Sequence, residues 1–285
     1  EFLGGRFQLT DQVMRQGNPA RIDVVFGTIL VLVLLEAVRR TLGIVVPIII
    51  IMFTVYAVFG MYMPFQILKH PGVSWDLFIN SMYFPEEGIF GVTLWIVSTV
   101  VFHFFLFGVF SQRMGLGQFF VDMATVIAGR YTGGVAKVSV VSSAFFGTIS
   151  GSSIANTVTT GTFTIPIMKK TGFSKEKAGA IEVSSSVNGQ LMPPVMGAAA
   201  FVMASFIGVT YFEIVKHAFL PAIISYVALF YISHLEALKL NLKGMDDADV
   251  PNLKKTFLSG IHFLIPIFVL IYMLVYLRFT ASYSI

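Results

Sequence analysis

Two polar stretches of the chain carry the residue types that could bind a small ion or an organic solute. The first runs over residues 147–157 and the second over 184–194, and both are rich in Gly, Ser, Asn or Pro. Their hydroxyl, amide and backbone carbonyl oxygens are neutral, and neither stretch contains a carboxylate. Neutral oxygens suit a small, hard monovalent cation such as Na⁺, whereas Mg²⁺ and Ca²⁺ normally recruit carboxylates.

The candidate cation ligands are the oxygens of these two stretches. They belong to Ser150, Ser152, Ser153, Asn156, Ser185, Ser186, Asn188 and Gly189. Pro193 and Pro194 lack N–H donors and would free carbonyls upstream of them. Where a helix begins, its free N–H groups and partial positive charge would favour an anionic substrate.

The composition places both stretches inside a membrane. Of the 285 residues, 56% are hydrophobic and 12% are charged, and the mean hydropathy is +0.82. A soluble domain carries about 25% charged residues. The sequence therefore predicts an all-α polytopic membrane protein, and its formal net charge of +4 indicates cytoplasmic Lys and Arg. The absence of cysteine excludes disulfides and thiol catalysis.

The apolar segments predict the helices that hold these stretches in place. We expect membrane helices at about 23–38, 44–62, 89–111, 211–237 and 257–279, with an amphipathic surface helix within 112–132. Residues 43–47 mark either a tight turn or a kink between the first two helices.

Segments 134–149 and 157–168 are each too short to cross a hydrocarbon core that needs about 20 residues. Joined by the polar residues 150–156, they predict a re-entrant helical hairpin. A following helix over 175–207 is expected to break at 187–194. Irregular backbone at membrane depth occurs where it is buried in protein or lines a cavity, and broken helices mark transport sites.

This pattern predicts four segments. Residues 1–88 form a linker, two membrane helices and an outer interfacial segment on the scaffold side, and 89–133 add a membrane helix and an amphipathic arm. Residues 134–209 form the transport core, and 210–285 contribute two membrane helices around a cytoplasmic loop at 239–255. Because inverted-repeat transporters contain two hairpins, we expect this chain to be part of a longer permease.

Several polar residues outside the two stretches have competing interpretations. For Ser139, Ser142 and Ser143 we predict close helix packing, as small residues commonly provide in membranes. Glu182 is either a functional intramembrane carboxylate or an interfacial one. We expect His103 to be hydrogen-bonded to a neighbour.

Three motifs resemble a known family. Residues 147–156 (GTISGSSIAN) look like the first hairpin tip of the large membrane subunit of TRAP transporters, the tripartite ATP-independent periplasmic family. The serines of 184–186 followed by Pro193 and Pro194 are similar to that family's broken helix, and the Gly-Leu-Gly of 115–117 to its surface arm. The form GQLMPP looks more like the fused permeases paired with TAXI-type binding proteins than like the dicarboxylate and sialic-acid branch.

The resemblance, which covers about residues 90–280, implies a function. The family imports organic anions with a Na⁺ gradient, a periplasmic binding protein and a small scaffold subunit, fused or separate, by an elevator motion in the bacterial or archaeal inner membrane. It implies Na⁺ sites at the hairpin tip and the broken helix, which here are the ligands named above, and no cofactor besides the coupling ion. We predict that the substrate contacts Asn156, Thr157, Thr160, Gln190 and Pro193.

Three alternatives remain open. A proton-coupled or other elevator-type permease would use the same broken elements. An intramembrane serine protease would take Ser150 or Ser152 as nucleophile and His217 or His234 as base, although we expect no enzyme. A structural scaffold subunit would tolerate loss of the polar side chains.

Overall fold

The computed structural model describes residues 17–84 and 88–284. This part of the chain is helical throughout and contains no β-strand. By residue contacts it divides into two compact units between Trp95 and Ile96. The predicted all-α fold of a polytopic membrane protein is confirmed.

The first unit contains helices α1 (Arg21–Leu42), α2 (Val45–Phe59) and α3 (Trp75–Tyr83). Gly43 separates α1 from α2 with a φ of +83°, so the chain turns here and does not continue as one kinked helix. Pro47 lies in the first turn of α2, where a missing N–H removes no helical hydrogen bond. The part of the predicted N-terminal linker at residues 1–16 lies outside the described residues.

The second unit holds most of the helices that follow. In chain order, the helices after α3 are α4 (Val92–Arg113), α5 (Leu116–Ala128), α6 (Gly134–Ser150), α7 (Ser153–Lys170), α8 (Lys175–Asn188), α9 (Ala198–Ile207), α10 (Tyr211–Lys239), α11 (Leu253–Tyr276) and α12 (Ala281–Ser284). Among the described residues, α2 with its extension to Tyr62, α4, α10 and α11 have the length and apolar composition to cross a membrane.

Helices α6 and α7 form the predicted hairpin, but its turn is shorter than the predicted polar tip at 150–156. Only Gly151 and Ser152 lie between the two helices. The Ser152 hydroxyl caps α7 by accepting the Ala155 N–H at 3.3 Å. The hydroxyls of Thr157 and Thr159 donate to carbonyls four residues earlier in α7, so these polar side chains are satisfied without ending the helix.

The break in the next helix also lies later than the predicted 187–194. Helix α8 continues to Asn188, and a 3₁₀ turn over Gly189–Leu191 leads into irregular backbone that ends at α9. Because Pro193 has no N–H to offer the Gly189 carbonyl, that carbonyl accepts from Met192 at 3.2 Å instead. Gln190 closes the irregular segment by accepting the Gly197 N–H on its carbonyl at 2.7 Å.

Helix α6 lies at the centre of the second unit and is buried along most of its length. Near the start of α6, which is the open end of the hairpin, the Lys137 ammonium lies over the rings of Tyr131 and Phe230. It is 3.1 Å from Nδ1 of His234. Close by, Lys177 of α8 forms an ion pair with Glu236 of α10. These contacts fix the open end of the hairpin to α10, so the polar turn lies at the opposite end.

Candidate functional site

The hairpin turn and the helix break meet backbone to backbone. A Cβ atom on Gly147 would lie 2.6 Å from Cα of Gly189, and one on Gly151 would lie 1.8 Å from the carbonyl oxygen of Met196. No larger residue fits either contact without a shift of the backbone. The glycines of the two polar stretches are therefore the reason that these stretches reach each other.

A cavity of about 330 Å³ opens where they meet. Ser150, Ser152, Ser153 and Gln190 provide its polar side, and the amide of Gln190 donates to the Ser153 hydroxyl at 2.7 Å. Phenylalanines of α4 and α9 form the apolar wall. The volume lies within the range of small-molecule sites, about 300–1,000 Å³, and the first turn of α7 faces into it.

Behind the cavity, Asn156 joins the two arms of the hairpin. It is fully buried, and its side-chain amide donates to the Ser143 carbonyl of α6 at 3.0 Å. Its Oδ1 atom lies 3.3 Å from the Thr160 hydroxyl, and its amide nitrogen lies against Gly189. Asn156 and Thr160 do not line the cavity, and their contact with a substrate stays a prediction.

The remaining predicted site residues do not line the cavity. Ser185 uses its hydroxyl on the Ile181 carbonyl, and Asn188 donates to the Ser225 hydroxyl of α10 at 2.6 Å. Thr157 bonds within α7, and Pro193 is buried next to a cis peptide bond with Pro194. The predicted Na⁺ ligands therefore form three groups: at the cavity, in the hairpin interior and against α10.

Glu182 occupies the hairpin interior, on the face of α8 that meets α6 and α7. Its carboxylate is fully buried and accepts from the hydroxyls of Ser139 at 2.7 Å and Ser186 at 3.2 Å, with those of Thr160 and Thr164 also in contact. The structure thus places it inside the protein. Ser139, for which we predicted close helix packing, is fully buried, and its hydroxyl also faces this carboxylate.

A sequence signal for this cluster exists. Thr160 and Thr164 are four residues apart on α7, and Glu182 and Ser186 are four apart on α8, so each pair shares one helix face. Gly161 makes room between the helices, because a Cβ there would lie 3.1 Å from Cγ of Glu182. We define the Glu182 cluster as Glu182 with the hydroxyls of Ser139, Thr160, Thr164 and Ser186.

His234 does not lie beside the serines of the hairpin turn. His234 lies beside Lys137, near the start of α6, whereas Ser150 is the last residue of that helix. Thirteen residues of helix separate these ends by about 20 Å. His103 contacts the Thr99 carbonyl of its own helix, which confirms the predicted local hydrogen bond.

The Tyr211 hydroxyl binds the irregular segment between α8 and α9. It donates to the carbonyl of Pro194 at 2.7 Å or of Val195 at 2.6 Å, while its ring stacks on Phe201.

We expect Tyr211→Phe to lower the free energy of unfolding by about 1 kcal/mol, because a buried carbonyl loses its donor while the ring contact remains. Thermal unfolding followed by circular dichroism checks this. Tyr231→Phe, on the exposed side of α10, is the control, and equal melting temperatures for both variants would contradict the assignment.

Comparisons with known proteins give one family. Its sequence profile, described as the DctM component of tripartite ATP-independent periplasmic transporters, matches residues 29–284. A putative TRAP transporter large permease protein of Haemophilus influenzae is 22% identical over 184 residues, which are 65% of this chain and 43% of that protein. A C4-dicarboxylate TRAP transporter large permease protein of Rhodobacter capsulatus is 30% identical over 102 residues, 36% of this chain and 23% of that protein.

A third relative is the sialic acid TRAP transporter permease protein of Haemophilus influenzae. It is 28% identical over 134 residues, which are 43% of this chain and 22% of that protein. Each match therefore covers less than half of the curated relative's length.

Proposed function

Because the chain belongs to the DctM family of tripartite ATP-independent periplasmic (TRAP) transporter components, we propose that it is the membrane permease segment of a secondary importer of organic acids. The three relatives described above are named as permeases, two of them for a C4-dicarboxylate and for sialic acid. Both named substrates are carboxylates. The transported solute in this proposal is an organic anion taken up through the bacterial or archaeal inner membrane.

The observation that carries the proposal is the cavity between the hairpin turn and the helix break. Its polar side includes the first turn of α7, where the positive end of the helix dipole favours a carboxylate. Phe104, Phe105 and Phe201 line the apolar wall of the cavity, where the apolar part of the solute would lie. A cavity with one polar and one apolar side suits a small organic anion.

Na⁺ is the proposed coupling ion. The hydroxyls of Ser150, Ser152 and Ser153 lie at the hairpin turn beside backbone of the break, and no carboxylate lines this cavity among the described residues. Such a set of neutral oxygens favours Na⁺ over divalent ions. The TAXI-type fused organisation implied by the GQLMPP motif stays a prediction.

We further propose an elevator motion in which α6–α8 and α10 move together. Helix α10 contacts α8 at two levels, through Asn188–Ser225 and Tyr226–Ser185 near the break and through Lys177–Glu236 at the base. The partners in this mechanism are a periplasmic binding protein, the lipid bilayer, a small scaffold subunit and the permease part that carries a second hairpin.

The test is uptake into proteoliposomes that contain the whole permease with its cognate binding protein. We expect an inward Na⁺ gradient to drive uptake of a labelled carboxylate and an equal K⁺ gradient to fail. Ser153→Ala should reduce kcat/KM about tenfold, because it removes a cavity oxygen and the partner of Gln190. The matched control is Thr162→Ala, because the Thr162 hydroxyl donates only to the Thr159 carbonyl of its own helix, on the exposed face of α7.

The alternatives give different results in the same assay. Uptake that follows an imposed proton gradient and ignores Na⁺ would replace Na⁺ coupling by proton coupling. Na⁺-driven uptake that survives Ser153→Ala and Gln190→Ala would keep the transport function and refute the assignment of the cavity.

A further inference from the structure

We propose that the Glu182 cluster is a monovalent-cation site, separate from the cavity at the hairpin turn, and that the ion it binds is Na⁺. This inference rests on the proposed function for the identity of the ion. It is carried by the surroundings of one carboxylate in the hairpin interior.

The first step is the charge of Glu182. Its side chain is fully buried, and none of the ion pairs found in residues 17–84 and 88–284 includes it. An ionised carboxylate away from water is very unfavourable unless a counter-charge accompanies it. No ion pair in the described part of the chain supplies a counter-charge to this carboxylate, so a bound cation would supply one.

The second step is the ligand set. The atoms that converge on the carboxylate are the hydroxyl oxygens of Ser139 in α6, Thr160 and Thr164 in α7, and Ser186 in α8. With the carboxylate they form an all-oxygen set that carries a single negative charge. Oxygen ligands select hard cations, and a single carboxylate matches one positive charge, whereas Ca²⁺ sites usually collect several carboxylates.

The third step is the freedom of the threonine hydroxyls to turn. Besides Glu182, the Thr160 hydroxyl reaches the Asn156 carbonyl at 2.8 Å, and that of Thr164 reaches the Thr160 carbonyl at 3.1 Å. Each can donate its hydrogen to its own helix and direct its lone pairs toward a cation. Ion binding therefore leaves both hydroxyls hydrogen-bonded.

The experiment measures equilibrium binding of ²²Na⁺ to the purified whole permease in detergent, at constant ionic strength with choline as the replacement ion. We expect Glu182→Gln to lose part of the Na⁺ bound by the wild-type protein, together with part of the rise in melting temperature that Na⁺ produces. Thr164→Val removes one cluster oxygen and should weaken Na⁺ binding about tenfold or more. Thr162→Val, on the exposed face of the same helix, should bind Na⁺ as the wild type does.

Unchanged ²²Na⁺ binding in both Glu182→Gln and Thr164→Val would overturn the proposal. The same holds if acidification alone stabilises the wild-type protein and Na⁺ does not. If Glu182→Gln fails to fold, the comparison of Thr164→Val with Thr162→Val decides the matter. Because binding is measured without transport, a lost site at Glu182 can be told apart from failure of the proposed uptake, and Ser153→Ala separately reports on the cavity.

Discussion

Gly151→Ala is expected to destabilise the permease by about 2–5 kcal/mol. Gly151 has a φ of +56°, a region where an alanine costs about 1–2 kcal/mol. Its new Cβ atom would also lie 1.8 Å from the Met196 carbonyl oxygen, so the backbone of the break must move, and overpacking of this kind costs about 1–3 kcal/mol. The melting temperature in detergent and Na⁺-driven uptake should both fall.

Gly208→Ala separates the cost of the backbone conformation from the cost of overpacking. Gly208 ends α9 with a φ of +72°, but a Cβ there would meet no atom within 4 Å. This variant therefore carries the conformational cost alone, about 1–2 kcal/mol. A drop in melting temperature that is equally large for both variants would show that the hairpin turn does not press on the break.

Gly147→Ala is expected to reduce both stability and uptake, although alanine favours helices. The new Cβ atom would lie 2.6 Å from Cα and 3.0 Å from the carbonyl oxygen of Gly189, and neither backbone atom can rotate away. The hairpin and the break must then separate, which widens the cavity and displaces Asn156 from Gly189. A loss of about 1–3 kcal/mol outweighs the gain in helix propensity.

Gly179→Ala is the matched control. Gly179 also lies inside a helix of the second unit, yet a Cβ there would meet nothing within 4 Å. We expect this variant to raise the free energy of unfolding by up to about 1 kcal/mol through helix propensity and to transport normally. An equal rise for Gly147→Ala would mean that the hairpin does not depend on this glycine contact.

The sequence was sufficient for the elements whose signal lies in composition and length. Four of the five predicted membrane helices have the length and apolar composition to cross a membrane. Helix α1, which covers the predicted segment 23–38, is not among them and carries charged residues near both ends. The two short apolar segments gave the hairpin, whose arms have 17 and 18 residues and do not combine the length with the apolar composition of a spanning helix. Gly and Pro indicated the break, since their effects on the backbone are local.

Element boundaries were harder to predict, because polar residues have two uses next to a helix. Ser153, Asn156 and Thr157 were predicted to lie in or next to a loop, but Ser152 caps the helix and Thr157 bonds to a carbonyl of its own helix. At the break, the Gly189 carbonyl keeps a partner in a 3₁₀ turn, which lets α8 extend to Asn188. Propensity does not distinguish these uses, since they depend on hydrogen bonds formed after folding.

The Glu182 cluster could not be located from the sequence, because its members come from three helices. Ser139 and Glu182 are 43 residues apart, and Thr160 and Glu182 are 22 apart. The spacing of four residues within α7 and within α8 indicates a shared face on each helix. It does not indicate that the two faces meet, which depends on the small residue Gly161 between them.

The order of these residues along the chain also matters while the protein is being made. Ser139, Thr160 and Thr164 all precede Glu182, and the last of them leaves the ribosome 18 residues earlier, which is about 1–4 s of synthesis. A carboxylate at the centre of a membrane helix costs about 2.5–3.5 kcal/mol on the insertion scale. The hydroxyls of the hairpin thus reach the membrane before the carboxylate does. A permuted gene that encoded α8 ahead of the hairpin would require the translocon to release Glu182 into lipid without them.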